Sequence, residues 1–289
     1  MLHDLIRHPV VDDTLAEISE VLGVDVRTLD SADALRSPIS VQLAILAAGV
    51  STARAVQLSG VRPLAVAGLS IGAFSAAVAA EAIELSDAVR LVRSRAEQME
   101  HMYPTGYGLA AIVGLSEPQV IRLVTEANTE KHPVFVGNIN APRQIVVAGT
   151  IEGMKAVLEM ALLQGARKAE LLDVPVPSHC PLLQPIADSL RAQMEAISMR
   201  DPKVLYIANV NARALRTATG VANDLTDNIA HVVRWHDATS VAQELGCELF
   251  LQLPPGHSLR DLALENLSDI KANAIAPDNF DKLLHLAMS

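Results

Sequence analysis

The chain has 289 residues, half of them hydrophobic, and a formal net charge of −10 at pH 7. This length allows one sizeable α/β domain, with or without a smaller insert. An aromatic content of 3% leaves few side chains on which nucleic-acid bases could stack, and the acidic balance disfavours binding of polyanions. We therefore expect no nucleic-acid partner.

Cysteine usage and the apolar segments favour a soluble cytoplasmic protein. Cys180 and Cys247 have no metal-type spacing and give no sign of a disulfide framework. Acidic residues in the opening segment MLHDLIRHPVVDD come too early for a secretory signal. The most apolar stretch, residues 65–80, is short and broken by Gly and Ser. We expect no metal site and no membrane association.

The first hundred residues predict mainly helices. Apolar residues recur every three or four positions in residues 12–22 and 40–58, and the second run is apolar enough to be largely buried. A short strand at 64–67 follows. An Ala-rich helix and a further helix over residues 86–102 come next.

After residue 106 the pattern changes to short strands that alternate with single helices. A strand at 109–115, a helix from Glu117, two strands within 134–149 and a helix from Ile151 resemble a βαββα unit. No flexible linker separates this unit from the rest of the chain. The unit is therefore predicted to be an insertion, which we place at residues 106–168.

From residue 168 onward, strands and helices alternate again. Strands are predicted at 168–176, 204–210 and 248–253, with helices at 182–197 and 238–245. Such alternation predicts a mostly parallel sheet covered by helices on both faces. The expected fold class is α/β, with one large domain formed by residues 1–105 and 169–289.

The segment Gly68-Leu69-Ser70-Ile71-Gly72 matches the G-x-S-x-G pattern between an apolar strand and a helix, as in a nucleophile elbow. Glycines on both sides would leave room for a sharply turned serine. The helix that starts at Ile71 would direct its dipole at the Ser70 hydroxyl, and the Ile71 N–H would bind a developing oxyanion. The alternative is a packing turn rich in small residues.

His179 is the candidate general base. It lies in the proline-rich segment 174–181, directly after a predicted strand, where rigid loops of α/β proteins assemble their sites. His231, His236 and His257 remain alternatives. No acidic residue is recognisable as a third member of a triad, so another group, such as a backbone carbonyl, would orient the imidazole.

Arg95 is the candidate anion-binding residue. On the predicted helix 86–102, Ala88, Val92 and Met99 form an apolar stripe, and Arg95 falls on the same stripe. An arginine among apolar neighbours needs a counter-charge, which a substrate carboxylate would supply. The alternative is an arginine that reaches the surface or pairs with a structural carboxylate.

Five segments, spread over nearly the whole chain, resemble successive blocks of the malonyl-CoA:acyl-carrier-protein transacylases. They are GLSIGAFSAAVAAEAIELSDAVRLVRSRAEQM, NINAPRQIVVAG, VPVPSHCPLL, NIAHVVRWHDA and LPPGHSL. The resemblance implies an α/β-hydrolase-like large domain with a ferredoxin-like insert. It also implies that Ser70 is the nucleophile and His179 the base.

The same resemblance implies roles for four further residues. Arg95 matches the arginine that grips the free carboxylate of malonyl, and Gln144, with Asn140 nearby, matches the polar side wall of the site. The backbone carbonyl of Asn228 matches the group that orients the histidine. Malonyl-CoA would be the substrate, and the phosphopantetheine-type thiol of an acyl carrier protein would be the acceptor, with no bound cofactor.

Within this family the details resemble the epsilon subunit of malonate decarboxylase, which loads malonyl onto that complex's own carrier subunit. Leu69 stands where fatty-acid and polyketide transacylases usually have His. Partners would then include other subunits of the decarboxylase. The alternatives are a transacylase of fatty-acid or polyketide synthesis and a non-catalytic scaffold subunit. An ordinary esterase is disfavoured because it would not need an inward arginine.

The sequence departs from the family pattern at its start. The family opens with a strand and a Gly-Gln-Gly loop whose glutamine supplies a second oxyanion donor, and the printed sequence begins after that position. We therefore expect either a longer natural chain or an oxyanion hole in which Ile71 is the one recognisable donor.

Overall fold

The computed structural model describes residues 1–288 as a mixed α/β structure. Within these residues the helices are α1 (Pro9–Leu22), α2 (Pro38–Leu58), α3 (Gly72–Ala79), α4 (Leu85–Met102), α5 (Glu117–Ala127), α6 (Ile151–Leu163), α7 (Gln184–Met194), α8 (Ala218–Asp227), α9 (Trp235–Glu244), α10 (Ser258–Asn266) and α11 (Phe280–Met288). The strands are β1 (Ala65–Ala67), β2 (Tyr107–Val113), β3 (Val134–Ala141), β4 (Gln144–Thr150), β5 (Lys168–Leu171), β6 (Leu205–Ile207), β7 (Ala214–Leu215), β8 (Leu249–Gln252) and β9 (Lys271–Ala274). The expected α/β class is confirmed.

The two predicted N-terminal helices are present, and each begins two or three residues earlier than the apolar pattern suggested. Proline occupies the first helical position of both α1 and α2, where its missing N–H costs no hydrogen bond. The side chain of Ser37 accepts a hydrogen bond from the Ile39 N–H and caps α2. Capping groups, rather than apolar residues, thus set these boundaries.

Helix α2 lies at the centre of the large domain. It is long and apolar enough to cross a membrane, but 78% of its most apolar stretch is buried inside the fold. Helices α1, α3 and α4 pack against it. This is the position of a core helix, as the apolar pattern of residues 40–58 predicted.

The large domain contains two small groups of strands in which the parallel pairings dominate. β1 pairs in parallel with β6, β6 pairs antiparallel with β7, and β8 pairs in parallel with β9. Within residues 1–288, β1 and β8 each have one edge without a strand partner. A cavity of about 680 Å³ is lined by residues of both strands and by Ser70.

The middle of the chain forms a separate four-stranded antiparallel sheet in the order β3-β4-β2-β5. Helices α5 and α6 pack against it around their own apolar core. This βαββαβ arrangement includes one strand more than the sequence predicted. β5 pairs with β2, so the expected boundary after residue 168 falls inside a strand of the insert's sheet. Its pattern predicts a strand without indicating which sheet it joins, and we propose that the insert extends to Leu171.

The insert is joined to the large domain through β3. The Ile139 N–H donates to the Val233 carbonyl at 2.8 Å, and the Val233 N–H donates to the Gly137 carbonyl at 2.9 Å. At the tip of the β3–β4 hairpin, Ala141 belongs to a small apolar cluster against which Leu69 packs. The hairpin tip therefore lies beside the elbow that carries Ser70.

Candidate active site

Ser70 lies in a sharp turn between β1 and α3. Its φ of 55° is in the left-handed region, which side-chain-bearing residues rarely adopt. A Cβ added to Gly68 would lie 2.0 Å from the Gly72 carbonyl oxygen, so this position requires glycine. Around Gly72 there is open space. The steric argument for glycine therefore applies to the position before Ser70 and not to the one after it.

His179 contacts Ser70 directly. Its Nε2 lies 2.8 Å from the Ser70 Oγ, and its Nδ1 lies 2.6 Å from the Asn228 carbonyl oxygen. Because a carbonyl oxygen only accepts hydrogen bonds, Nδ1 carries the proton and Nε2 accepts from the Ser70 hydroxyl. The imidazole is thus oriented as a general base, with a backbone carbonyl in place of a triad carboxylate.

The imidazole of His179 is held neutral. Burial lowers its pKa to about 3, and the positive charge of Arg95 acts in the same direction. The backbone N–H of His179 donates to the Ile229 carbonyl at 2.7 Å. This bond fixes the loop at His179, whose φ is 59°. At neutral pH the Nε2 lone pair is therefore available.

The three alternative histidines do not contact Ser70 in the part of the chain that the structure describes. His231 bonds the Asp227 carbonyl at 2.9 Å, and His257 pairs with Asp261 at 2.7 Å. The Nδ1 of His236 is buried without a partner. Geometry therefore singles out His179.

Arg95 is buried in α4, with 2% of its surface exposed, and points to the nucleophile. Its Nη2 donates to the Ser70 Oγ at 3.2 Å, and its Nη1 donates to the Gln42 Oε1. Burial lowers its pKa to about 10, so the guanidinium stays charged at neutral pH. It forms no ion pair with a carboxylate of residues 1–288, and its Nε has no partner. The site therefore holds a cation that lacks a counter-charge.

Gln42 is a site residue that the sequence reasoning missed. It lies on α2, is buried, and its Nε2 approaches the Met99 Sδ at 3.5 Å while its Oε1 accepts from Arg95. The available signal was a glutamine within an otherwise apolar buried helix, since such a polar side chain needs a partner.

Gln144 and Asn140 lie at the tip of the β3–β4 hairpin, beside Ala141, whose apolar cluster includes Leu69. The Asn140 carbonyl accepts from the Asn266 Nδ2 at 2.8 Å, and the Asn140 Oδ1 is buried without a partner. Among residues 1–288, neither side chain forms a hydrogen bond to Ser70. Their role as a side wall stays a prediction.

Ile71 precedes the first residue of α3. Its φ and ψ are helical, and its N–H has no hydrogen-bond partner within the described residues. This free donor follows the nucleophile in the chain, as an oxyanion-binding group requires. The side chains of residues 1–288 form no cluster of three or more His, Cys, Asp or Glu suited to a metal ion.

Comparison with known proteins identifies the family of this chain. The acyl transferase domain family matches residues 5–279. The malonyl CoA-acyl carrier protein transacylase of Escherichia coli K12 is 33% identical over 273 residues, which are 93% of this chain and 88% of that protein.

Solved structures agree as well. A malonyl CoA-acyl carrier protein transacylase from Coxiella burnetii superimposes with a TM-score of 0.91 at 30% identity, covering 97% of this chain and 89% of that one. A malonyl-transacylase solved in complex with a type II PKS acyl-carrier protein gives 0.88 at 33% identity, covering 93% and 88%. The chain is therefore an acyltransferase that belongs to the malonyl-CoA:acyl-carrier-protein transacylase family.

Proposed function

We propose that this protein transfers malonyl from malonyl-CoA to the phosphopantetheine-type thiol of an acyl carrier protein, through an acyl-enzyme on Ser70. The observation that carries the proposal is the placement of one hydroxyl between two groups. His179 Nε2 lies 2.8 Å from the Ser70 Oγ and Arg95 Nη2 lies 3.2 Å from it. A base activates the hydroxyl, and an unpaired cation beside it suits an acyl group that carries a second carboxylate.

The first half-reaction forms the acyl-enzyme. His179 Nε2 takes the proton as the Ser70 Oγ attacks the thioester carbon, and the Asn228 carbonyl stabilises the imidazolium through the Nδ1–H. The Ile71 N–H binds the oxyanion of the tetrahedral intermediate. The carbon–sulfur bond then breaks, and the imidazolium gives its proton to the CoA sulfur.

The second half-reaction reverses these steps with a different thiol. His179 removes the proton of the carrier thiol, whose sulfur attacks the Ser70 ester. The intermediate collapses with cleavage of the bond to Oγ, and the imidazolium returns the proton to Ser70. No bound cofactor takes part, because the thioester itself supplies the activated acyl group.

Intact-mass analysis after brief exposure to malonyl-CoA tests this proposal. We expect the protein to gain one malonyl group, and we expect Ser70→Ala to gain none because it lacks the nucleophilic oxygen. A protein that gains no malonyl group would instead support the alternative of a non-catalytic scaffold. An adduct that persists in Ser70→Ala would show that another residue is the nucleophile.

Replacing Arg95 by alanine is expected to reduce the preference for malonyl-CoA over acetyl-CoA by roughly ten- to a hundredfold, since only malonyl offers a second carboxylate. The measurement is the acylation rate with each thioester. The control is Arg93→Ala on the same helix, because Arg93 is exposed and pairs with Glu97 at 2.7 Å. Equal losses with both substrates, in a variant folded by circular dichroism, would show that Arg95 is structural.

A narrower assignment, to the epsilon subunit of malonate decarboxylase, rests on the resemblance described above. Leu69, in place of the usual His, packs against an apolar cluster that includes Ala141 and Trp235. The relatives named above are transacylases of acyl carrier protein and do not support this narrower assignment. Malonyl transfer measured side by side to a decarboxylase carrier subunit and to a fatty-acid acyl carrier protein distinguishes the two, since the cognate carrier is expected to react faster.

The proposed partners are thus an acyl carrier protein and, under the narrower assignment, other decarboxylase subunits. We also propose a cytoplasmic location, which both free cysteines support.

A further inference from the structure

We infer that Asn209 is a positioning residue that fixes the backbone of Ser70, and that the buried side chains of Asp224 and Tyr206 hold Asn209 in place. The inference rests on the proposed function in one respect, namely that Ser70 is the reacting group. It adds three side chains that neither touch the substrate in the mechanism above nor lie near Ser70 in the sequence.

The side chain of Asn209 bridges the two ends of the elbow. Its Oδ1 accepts from the Ser70 N–H at 2.9 Å, and its Nδ2 donates to the Gly68 carbonyl at 2.9 Å. Asn209 is 2% exposed, so water cannot replace these bonds easily. One side chain therefore satisfies two backbone groups on either side of the sharp turn.

This bridge matters because the Ser70 backbone is in an unfavourable conformation. At a φ of 55°, Ser70 lies outside both β1 and α3, and its N–H is bonded by the Asn209 side chain instead of a backbone carbonyl. Strained residues persist only where the surrounding structure holds them. Without the Asn209 bonds, the turn is free to relax and to carry the Ser70 Oγ away from His179 Nε2.

A buried carboxylate holds the backbone of Asn209 in place. Asp224, on α8, accepts from the Asn209 backbone N–H at 2.8 Å and from the Val210 N–H at 3.1 Å. Its other oxygen accepts from the Tyr206 hydroxyl at 2.8 Å and lies 3.5 Å from the Asn209 Nδ2. Burial raises the pKa of Asp224. This 5%-exposed carboxyl has four donors around it, and two of them belong to Asn209, the residue that bridges the elbow.

An amide is suited to this position because it presents one acceptor and one donor. In Asn209→Asp, an ionised carboxylate would still accept from the Ser70 N–H, but its second oxygen would face the Gly68 carbonyl and Asp224. A protonated carboxyl would instead donate to Gly68 as the amide does. Burial and the nearby Asp224 charge raise the pKa of the introduced carboxyl, while Arg95, which donates to the Ser70 Oγ, lowers it.

The test measures Ser70 acylation by malonyl-CoA between about pH 5 and about pH 8. Asn209→Ala, which removes both bonds, is expected to be slower than the wild type by roughly ten- to a hundredfold throughout this range, because a small misplacement of a reacting atom costs about this much. Asn209→Asp is expected to be similarly slow at the alkaline end and to recover as the pH falls. The KM for malonyl-CoA should stay near the wild-type value.

The control is Thr14→Val, which alters a buried polar residue on α1 that does not contact the elbow. It is expected to lower the melting temperature without changing the acylation rate or its pH profile. If the Asn209 variants do not fold, Tyr206→Phe tests the inference instead, because it removes the hydroxyl that donates to Asp224. We then expect a slower acylation rate with an unchanged KM.

A fluorophosphonate probe separates failure of this inference from failure of the proposed function. The probe phosphorus bonds to a reactive serine Oγ as fluoride leaves, so labelling does not depend on malonyl-CoA. A wild type that is labelled but not malonylated would contradict the proposed function, and labelling rates would then test Asn209. Wild-type rates in Asn209→Ala, or in Tyr206→Phe where only that variant folds, would overturn the inference. A deficit in Asn209→Asp that matches Asn209→Ala at every pH would also overturn it.

Discussion

His179→Ala is expected to slow acylation of Ser70 by malonyl-CoA by a factor on the order of 10² to 10⁴, because a neutral hydroxyl is a poor nucleophile without a positioned base. His179 Nε2 lies 2.8 Å from the Ser70 Oγ, which is the distance of a direct hydrogen bond. Stopped-flow measurement of acylation gives the rate. His231→Ala is the matched control, since His231 is exposed and bonds only the Asp227 carbonyl.

The pH profile of the wild-type enzyme gives a second measurement on the same residue. Because the His179 pKa is lowered to about 3, the imidazole is neutral at every pH well above that value. Acylation should therefore show no loss of base between about pH 8 and about pH 5. A fall in rate centred near pH 6.5, the ordinary value for histidine, or an unchanged rate in His179→Ala would contradict the assignment.

Adding a strand and a Gly-Gln-Gly loop in front of Met1 is expected to raise turnover by roughly 10²- to 10³-fold, the usual effect of one oxyanion donor. The Ile71 N–H has no partner within residues 1–288 and is the one oxyanion donor that we assign to the site. The cavity of about 680 Å³ beside β1 and β8 offers space for the added strand. The added strand would also pair the open edges of β1 and β8. Because unpaired edges favour self-association and lack these hydrogen bonds, the melting temperature should rise as well.

The control for this extension carries Gly-Ala-Gly in the loop. It pairs the strand edges but supplies no glutamine donor, so it should raise the melting temperature without raising turnover. It also matches the extension in replacing the Met1 ammonium, which contacts Asp30 at 2.8 Å, by an amide. Equal turnover and melting temperature with and without the extension would mean that a second donor comes from elsewhere in the 289 residues.

The sequence predicted the parts of the site that depend on local pattern. The G-x-S-x-G segment predicted the elbow, and the helical spacing of Arg95 predicted an inward cation, which the structure places 3.2 Å from the Ser70 Oγ. The residue pattern around His179 indicated a rigid loop but left three other histidines open. The choice of His179 among them came from the resemblance to a known family. The Asn228 carbonyl also came from that resemblance, because a backbone carbonyl leaves no side-chain signal in the sequence.

The parts that the sequence did not predict depend on contacts between distant residues. Asn209 is 139 positions from Ser70, and no local pattern indicates that its amide reaches the elbow. Helix α8 was not predicted because its segment, Ala-Thr-Gly-Val-Ala-Asn-Asp-Leu-Thr-Asp, is rich in residues of low helix propensity. Thr217 caps it, and burial of Val221 and Leu225 offsets this disadvantage.

The buried guanidinium of Arg95 links the proposed selection of malonyl to the stability of the fold. In the empty enzyme a charge sits in the protein interior with only uncharged partners, Gln42 and Ser70, and desolvation makes this unfavourable for the native state. Under the proposed function, the free carboxylate of malonyl would neutralise the charge, and a ligand that binds only the native state stabilises that state by mass action. If Arg95 selects malonyl as we propose, discrimination against acyl groups that lack a free carboxylate is achieved at the expense of conformational stability in the unliganded protein.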